Sequence, residues 1–271
     1  MFLSLTATSP AIAKFVKTGC NDTCGNNVTI PYPFGIGAGC SINQWYAVDC
    51  KSSKPYLSAL KHLEVFSIDL DDQKVTVYTP KIPNCRNPVL NSSEIMGVDL
   101  GNSPFFFSKL HNTFVFKGCG FAVMMDNERV VTGCSTACLN VTLNDTNNCV
   151  GNGCCQIEIP YYLKSYSIHI ERQGEDGDCE SAFLVDVTKL NDEGWYFDPF
   201  NHVIRIMNKS LVPISLKWTL TDSDHVTCCE RDPITRKVDM FNSTPLVTRY
   251  CGYSSLSNNP YVIDGCREDG K

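Results

Sequence analysis

Glu64-Val65-Phe66-Ser67-Ile68-Asp69-Leu70, followed after Asp71-Asp72-Gln73 by Lys74-Val75-Thr76-Val77-Tyr78, is the stretch that sets the fold class. Both segments are dense in β-branched and aromatic residues with a period near two, and the polar insert between them has turn chemistry. The pair therefore reads as a β-hairpin. Working outward, β-rich runs recur at Thr113–Phe116, Phe121–Met125, Gln156–Ile159, Ser167–Glu171, Phe183–Val187, Val203–Ile206 and Ile214–Trp218. Helical spacing is weak throughout; only Tyr56–His62 is expected to form one or two helical turns. Gly, Pro and Asn interrupt the chain at short intervals, as many short strands joined by turns require. The expected fold is mostly β, with short strands and little helix.

Sixteen of the 271 residues are Cys, more than packing of a core this size demands. A reducing cytosol would keep such thiols apart, so the count places the chain in an oxidising, extracellular compartment. All sixteen are expected in disulfides: Cys20, Cys24, Cys40, Cys50, Cys85, Cys119, Cys134, Cys138, Cys149, Cys154, Cys155, Cys179, Cys228, Cys229, Cys251 and Cys266. Cys20-x3-Cys24 and Cys134-x3-Cys138 have the look of zinc-ligand pairs, but neither has a second pair at zinc-finger spacing. Adjacent cysteines, Cys154-Cys155 and Cys228-Cys229, point to opposite faces of a strand, so each is expected to bridge to a different element. Seven Asn-x-Ser/Thr sites, Asn21, Asn27, Asn91, Asn140, Asn144, Asn208 and Asn242, agree with glycosylated surface loops.

The net charge of −6 argues against nucleic acid, but it is unevenly spread. Residues 1–125 hold 10 Lys and Arg against 8 Asp and Glu, whereas residues 126–271 hold 13 against 21. The five His are scattered, no Gly-x-Ser-x-Gly elbow is present and no Gly-rich phosphate loop follows a strand, so no enzyme and no cofactor are expected. Gly174-Glu175-Asp176-Gly177-Asp178 offers oxygen ligands without the rest of a calcium-loop pattern, so no metal site is assigned. No run reaches the ~18 apolar residues of a membrane-spanning helix. Residues 1–17 read as a signal-peptide remnant or a disordered extension.

Lys51, Lys54, Lys61 and His62 lie within twelve residues of one another beside Tyr56, and Lys74, Lys81, Arg86, Lys109 and Lys117 follow. A cation beside an aromatic ring suits an acidic sugar: the cation meets the carboxylate and the ring meets the sugar's C–H face. An ordinary solvated surface fits the same residues.

The run Cys20-x3-Cys24-Gly25-Asn26-Asn27-Val28-Thr29-Ile30-Pro31-Tyr32-Pro33-Phe34-Gly35-Ile36-Gly37, followed by Cys40 and Cys50, resembles the galacturonan-binding extracellular module of plant wall-associated receptor kinases. Pro31 and Pro33 fix φ and extend their predecessors, so the motif reads as a rigid connector pinned by flanking disulfides. Cys149-x-Gly151-x-Gly153-Cys154-Cys155-Gln156-Ile157-Glu158-Ile159-Pro160 is similar to the cysteine-rich segment that follows in those receptors. Tyr250-Cys251-Gly252-Tyr253 through Cys266 resembles a degenerate edge of their EGF-like region, with Gly252 where a second Cys would stand.

The resemblance implies a galacturonan-binding-like module at 18–125, a cysteine-rich receptor-associated module at 126–226 and an incomplete EGF-like segment at 227–271. It further implies binding of pectin, chiefly de-esterified homogalacturonan, at the plant cell wall. Plasma-membrane attachment is expected if the gene product continues into a transmembrane span. Lys51, Lys54, Lys61, Lys81 and Arg86 are the expected pectin-binding residues, with Ca²⁺ entering through the pectin. The competing reading is a peptide- or protein-recognition ectodomain, or a secreted decoy, without sugar affinity.

Overall fold

The expected hairpin is present in the computed structural model, which describes residues 16–25, 28–60, 63–81, 83–84, 92–138, 149, 151–172, 180–189, 196–198, 203–205, 211–229, 232–252 and 259–261. In chain order the strands begin with β1 (Thr23–Cys24), β2 (Val28–Thr29), β3 (Gly35–Ile36), β4 (Ala47–Lys51), β5 (Lys54–Leu57), β6 (Leu63–Asp69) and β7 (Lys74–Pro80). Next come β8 (Pro83–Asn84), β9 (Ser92–Met96), β10 (Phe105–Phe107), β11 (Asn112–Lys117), β12 (Gly120–Asp126) and β13 (Arg129–Thr136). The rest are β14 (Cys154–Glu158), β15 (Ser167–Arg172), β16 (Glu180–Asp186), β17 (Tyr196–Asp198), β18 (Val203–Arg205), β19 (Leu211–Trp218), β20 (Ile234–Val238) and β21 (Leu246–Tyr250). The protein is mostly β, and the only helix among the described residues is single 3-10 turns.

One structural difference concerns residues 56–60. Leu57 and Leu60 are both buried and three apart, which mimics helical spacing. The structure instead ends β5 at Leu57 and turns through residues 58–60, while residues 61 and 62 lie outside the described residues. Burying Leu57 opposite Leu63 in the sheet satisfies the same apolar demand as a helix face.

β7 and β6 sit at the centre of a seven-stranded sheet ordered β10-β19-β7-β6-β5-β4-β3, antiparallel except for β3 beside β4. β19 therefore pairs with β7, Ile214 opposite Val77, although they are more than a hundred residues apart in sequence. This sheet crosses the boundary expected at 125, since it joins strands of the first expected module to Leu211–Trp218. Two four-stranded sheets, β14-β11-β16-β8 and β13-β12-β15-β9, and three two-stranded ribbons complete the described architecture. β7 is buried on both faces because β16 lies across β19: the Asp186 carboxylate accepts from Ser215 Oγ, which also meets Thr76 Oγ1 at 3.0 Å. Such two-sided burial explains why Lys74 and Thr76 break a clean inside–outside alternation.

The Pro31–Gly35 run does more than connect. Phe34, fully buried, packs edge-on against Tyr46 and Trp218 with ring centroids 5.1 and 5.8 Å away, and Tyr261 adds a ring 5.4 Å from Trp218. Tyr46 donates its hydroxyl hydrogen to Thr219 O at 2.7 Å, so its polar end is satisfied inside the core. Gly35 allows the chain to pass the Cys40–Ser41 backbone, where a Cβ would collide.

Six disulfides lie among the described residues, and no described cysteine is free. Cys20 joins Cys40, and Cys24 of β1 joins Cys50 of β4, locking the motif from both sides. The adjacent pair diverges as expected: Cys154 bridges to Cys149, while Cys155 bridges to Cys134 and so ties β14 to β13 across the two smaller sheets. Cys119 joins Cys138, and Cys228 joins Cys251 while its neighbour Cys229 is bonded separately. Both Cys-x3-Cys pairs are thus spent in disulfides. Cys85, Cys179 and Cys266 lie outside the described residues, as does the acidic loop 174–178.

Candidate ligand-binding surface

β4 and β5 turn through Ser52 and Ser53, whose φ values of 49° and 61° make a tight left-handed turn. The register sets Lys51 opposite Lys54, and Asp49 opposite Tyr56, which in turn faces Glu64 on β6. Strand alternation puts all five on one face, opposite the one that buries Val48, Leu57 and Leu63. Lys51 Nζ lies 3.5 Å from Asp49 Oδ2, and Lys54 Nζ lies 2.9 Å from Glu64 Oε1. Lys51 and Lys54 remain 61% and 55% exposed, so both ammonium groups stay open to an incoming anion, while the Glu64 carboxylate is only 19% exposed.

Lys81 does not join this face. Taking Val65 opposite Val77 as origin, the registers displace it from Lys54 by about 17 Å along the strands. Its ammonium lies 5.3 Å from the Phe183 ring, where burial and then the charge of Lys117 hold its pKa below the usual lysine value. Lys61 and Arg86 lie outside the described residues. Of the glycosylation sites, Asn21 and Asn242 are described and exposed; Asn27, Asn91, Asn140, Asn144 and Asn208 lie outside.

A second charged cluster escaped the sequence. Lys74 and Lys217 stand opposite each other on β7 and β19, with side chains only 8% and 11% exposed. Asp72, in the β6–β7 turn, separates them: its carboxylate takes Lys217 at 2.5 Å, His111 Nε2 at 2.7 Å and Lys74 at 3.7 Å. Burial raises the Asp72 pKa, but the Lys217 hydrogen bond and the charges of Lys217, His111 and Lys74 outweigh it and hold the carboxyl below its ordinary value. Burial, then Lys74, lowers the His111 pKa against the opposing pull of Asp72, so a neutral ring donates to Asp72 through Nε2. His111 Nδ1 meets Ser108 Oγ at 2.7 Å, completing a Ser–His–Asp chain. Ser108 is fully buried and its oxygen also accepts from Leu110 N, so no substrate reaches it; the chain clasps the β6–β7 and β10–β11 turns together.

A third surface is aromatic. Tyr161, 41% exposed, tilts against Phe241 at 5.4 Å, and the Lys109 ammonium lies 5.5 Å from the Tyr162 ring. Arg129 Nη1 donates to Asn242 Oδ1 at 3.2 Å beside this shelf. The elements meet through Phe241 N donating to Tyr162 O at 3.1 Å. Elsewhere, an open cavity of about 300 Å³ lies between Leu220–Asp222, His225–Thr227 and Arg249, whose guanidinium is engaged by Asp222.

Comparison with known proteins gives these surfaces a family context. Residues 20–79 match the family described as wall-associated receptor kinase galacturonan-binding, and residues 145–227 match the wall-associated kinase family. Wall-associated receptor kinase-like 6 of Arabidopsis thaliana is 30% identical over 92% of the chain and 44% of the relative. Wall-associated receptor kinase-like 3 and wall-associated receptor kinase 1 of the same plant are 29% and 26% identical, each over 92% of the chain, and over 38% and 34% of their own lengths. The chain thus spans less than half the length of these curated relatives. No solved structure matches. Both matched segments lie in one chain, and relatives align over nine-tenths of it: the chain is similar to the extracellular region of wall-associated receptor kinases.

Proposed function

We propose that the protein binds acidic wall polysaccharide, chiefly de-esterified homogalacturonan, on the exposed β4–β5–β6 face. The observation that supports this reading is the coincidence of the galacturonan-binding match, residues 20–79, with the segment that displays Lys51, Lys54 and Tyr56 together. Uronate carboxylates replace Asp49 and Glu64 as partners of the two ammonium groups, and the Tyr56 ring meets a sugar C–H face. Lys61, Lys81 and Arg86 extend the contact along a chain long enough to span the separation from Lys81. The face is open and shallow, so single contacts are weak and affinity grows with polymer length through multivalency. Calcium enters by cross-linking the pectin, and plasma-membrane attachment holds if the gene product continues into a transmembrane span; no helix among the described residues is long and apolar enough to cross a membrane.

A peptide or protein ligand is the second reading, favoured by the same ion pairs: with Asp49 and Glu64 in place the face is electrically neutral. Homogalacturonans of graded methyl esterification separate the two, because esterification removes charge and leaves the backbone unchanged. Binding that weakens as esterification rises supports the polysaccharide reading, and binding indifferent to it overturns that reading.

A further inference from the structure

We propose that Asn242 carries an N-linked glycan whose first N-acetylglucosamine lies on the Tyr161–Phe241 shelf. The proposal rests on the extracellular placement of the family and is independent of the pectin reading. Asn242-Ser243-Thr244 is an acceptor tripeptide in the loop between Met240 and β21, and Asn242 is exposed with a left-handed φ of 49°. Such a turn presents the side chain outward instead of into a sheet.

Arg129 orients the amide. Its Nη1 donates to Asn242 Oδ1, which leaves Nδ2 directed away from the guanidinium. Glycan transfer forms the bond from Nδ2 to the sugar's anomeric carbon and breaks that carbon's bond to a lipid pyrophosphate, which leaves as one amide proton is lost. Oδ1 is untouched, so the Arg129 hydrogen bond survives modification.

The chain beside Asn242 is aromatic. Phe241 is the chain neighbour of Asn242, and Tyr161 tilts against it at 5.4 Å and 49° while remaining 41% exposed. The shelf is held in place from beneath, since Phe241 N donates to Tyr162 O and Tyr162 bridges to Met240. The C–H face of a pyranose suits such a fixed, part-exposed ring pair. Asn21, the other described acceptor, is bridged to Ile36 and serves as a control.

The test uses the chain secreted from a eukaryotic host. Glycopeptide mass spectrometry reads Asn242 occupancy, and hydroxyl-radical footprinting reads Tyr161. Asn242 is expected to be occupied, and Tyr161 oxidation should be several-fold slower than in Asn242→Gln, with Asn21→Gln unchanged from wild type. Amidase release of the glycans after folding should raise Tyr161 oxidation equally, which guards against misfolding of the variant. An unoccupied Asn242, or a Tyr161 rate indifferent to both variant and amidase, overturns the proposal. Protection of Tyr161 only when oligogalacturonide is added to the deglycosylated chain also overturns it, and makes the shelf a ligand site instead.

Discussion

Replacing Asp72 by Asn is the sharpest perturbation of the clasp around which β7, β19 and the β10–β11 turn meet. The substitution preserves shape and an accepting oxygen but removes the charge that Lys217, His111 and Lys74 share. Removing one member of a fully buried ion pair costs about 3–5 kcal/mol, because the partner is left charged and unpaired. Here the two lysines are almost wholly covered, but Asp72 is 38% exposed and water screens part of the loss. Roughly half the buried figure, about 2 kcal/mol, is therefore expected, or about 3–4 °C in Tm for a chain of this size. Thermal unfolding with disulfides intact reads it, and Asp71→Asn, the exposed neighbour with the same charge change, is the control. A double-mutant cycle with Lys217→Met should recover a coupling of the same sign. If Asp72→Asn melts within about 1 °C of Asp71→Asn, the clasp does not hold the turns together and the reasoning fails.

Two further outcomes follow from particular contacts. Gly35→Ala should cost about 3 kcal/mol in thermal unfolding, since its Cβ would sit 2.5 Å from Ser41 N and closer still to the Cys40 carbonyl, in backbone fixed by a disulfide; a loss typical of an exposed site would contradict this. For pH, the folded chain lowers the His111 pKa below 6.5, so the stability this gives is present above that value and is lost as pH falls through the lower folded pKa. The Asp72 pKa is also lowered, from 3.8, so its contribution persists to more acid pH and is lost last. Unfolding free energy should thus begin to fall on acidification below about pH 6.5, and His111→Gln should flatten that first decline; an unchanged profile would contradict it.

Local patterning was legible where one short segment determined it. The hairpin at Glu64–Tyr78 follows from β-branched density and a polar turn, and the divergence of Cys154 and Cys155 follows from strand alternation. Alternation also carries Asp49 and Lys51 to the same face, a signal that lies within the local sequence. Legibility ended where partners are distant. Nothing near Lys74 announces Lys217 as its cross-strand neighbour or His111 as the third group on Asp72, because β19 arrives beside β7 only through the assembled sheet. Tyr56–His62 misled for a related reason: Leu57 and Leu60 reach one core from a strand and a turn, where spacing alone reads as a helix. The aromatic shelf joins residues 161 and 241 by a tertiary contact that no local pattern encodes.

The most direct measurement is titration of the folded, glycosylated chain with oligogalacturonides and with neutral galacto-oligosaccharides of equal length, at about 0.05 M and about 0.5 M salt, where screening differs severalfold. Binding of the acidic series alone, tightening with chain length, weakening at the higher salt and reduced in Lys51→Ala/Lys54→Ala, is the predicted result. Equal affinity for the neutral sugars, or affinity for the acidic series that ignores salt, would contradict recognition of acidic polysaccharide by this face.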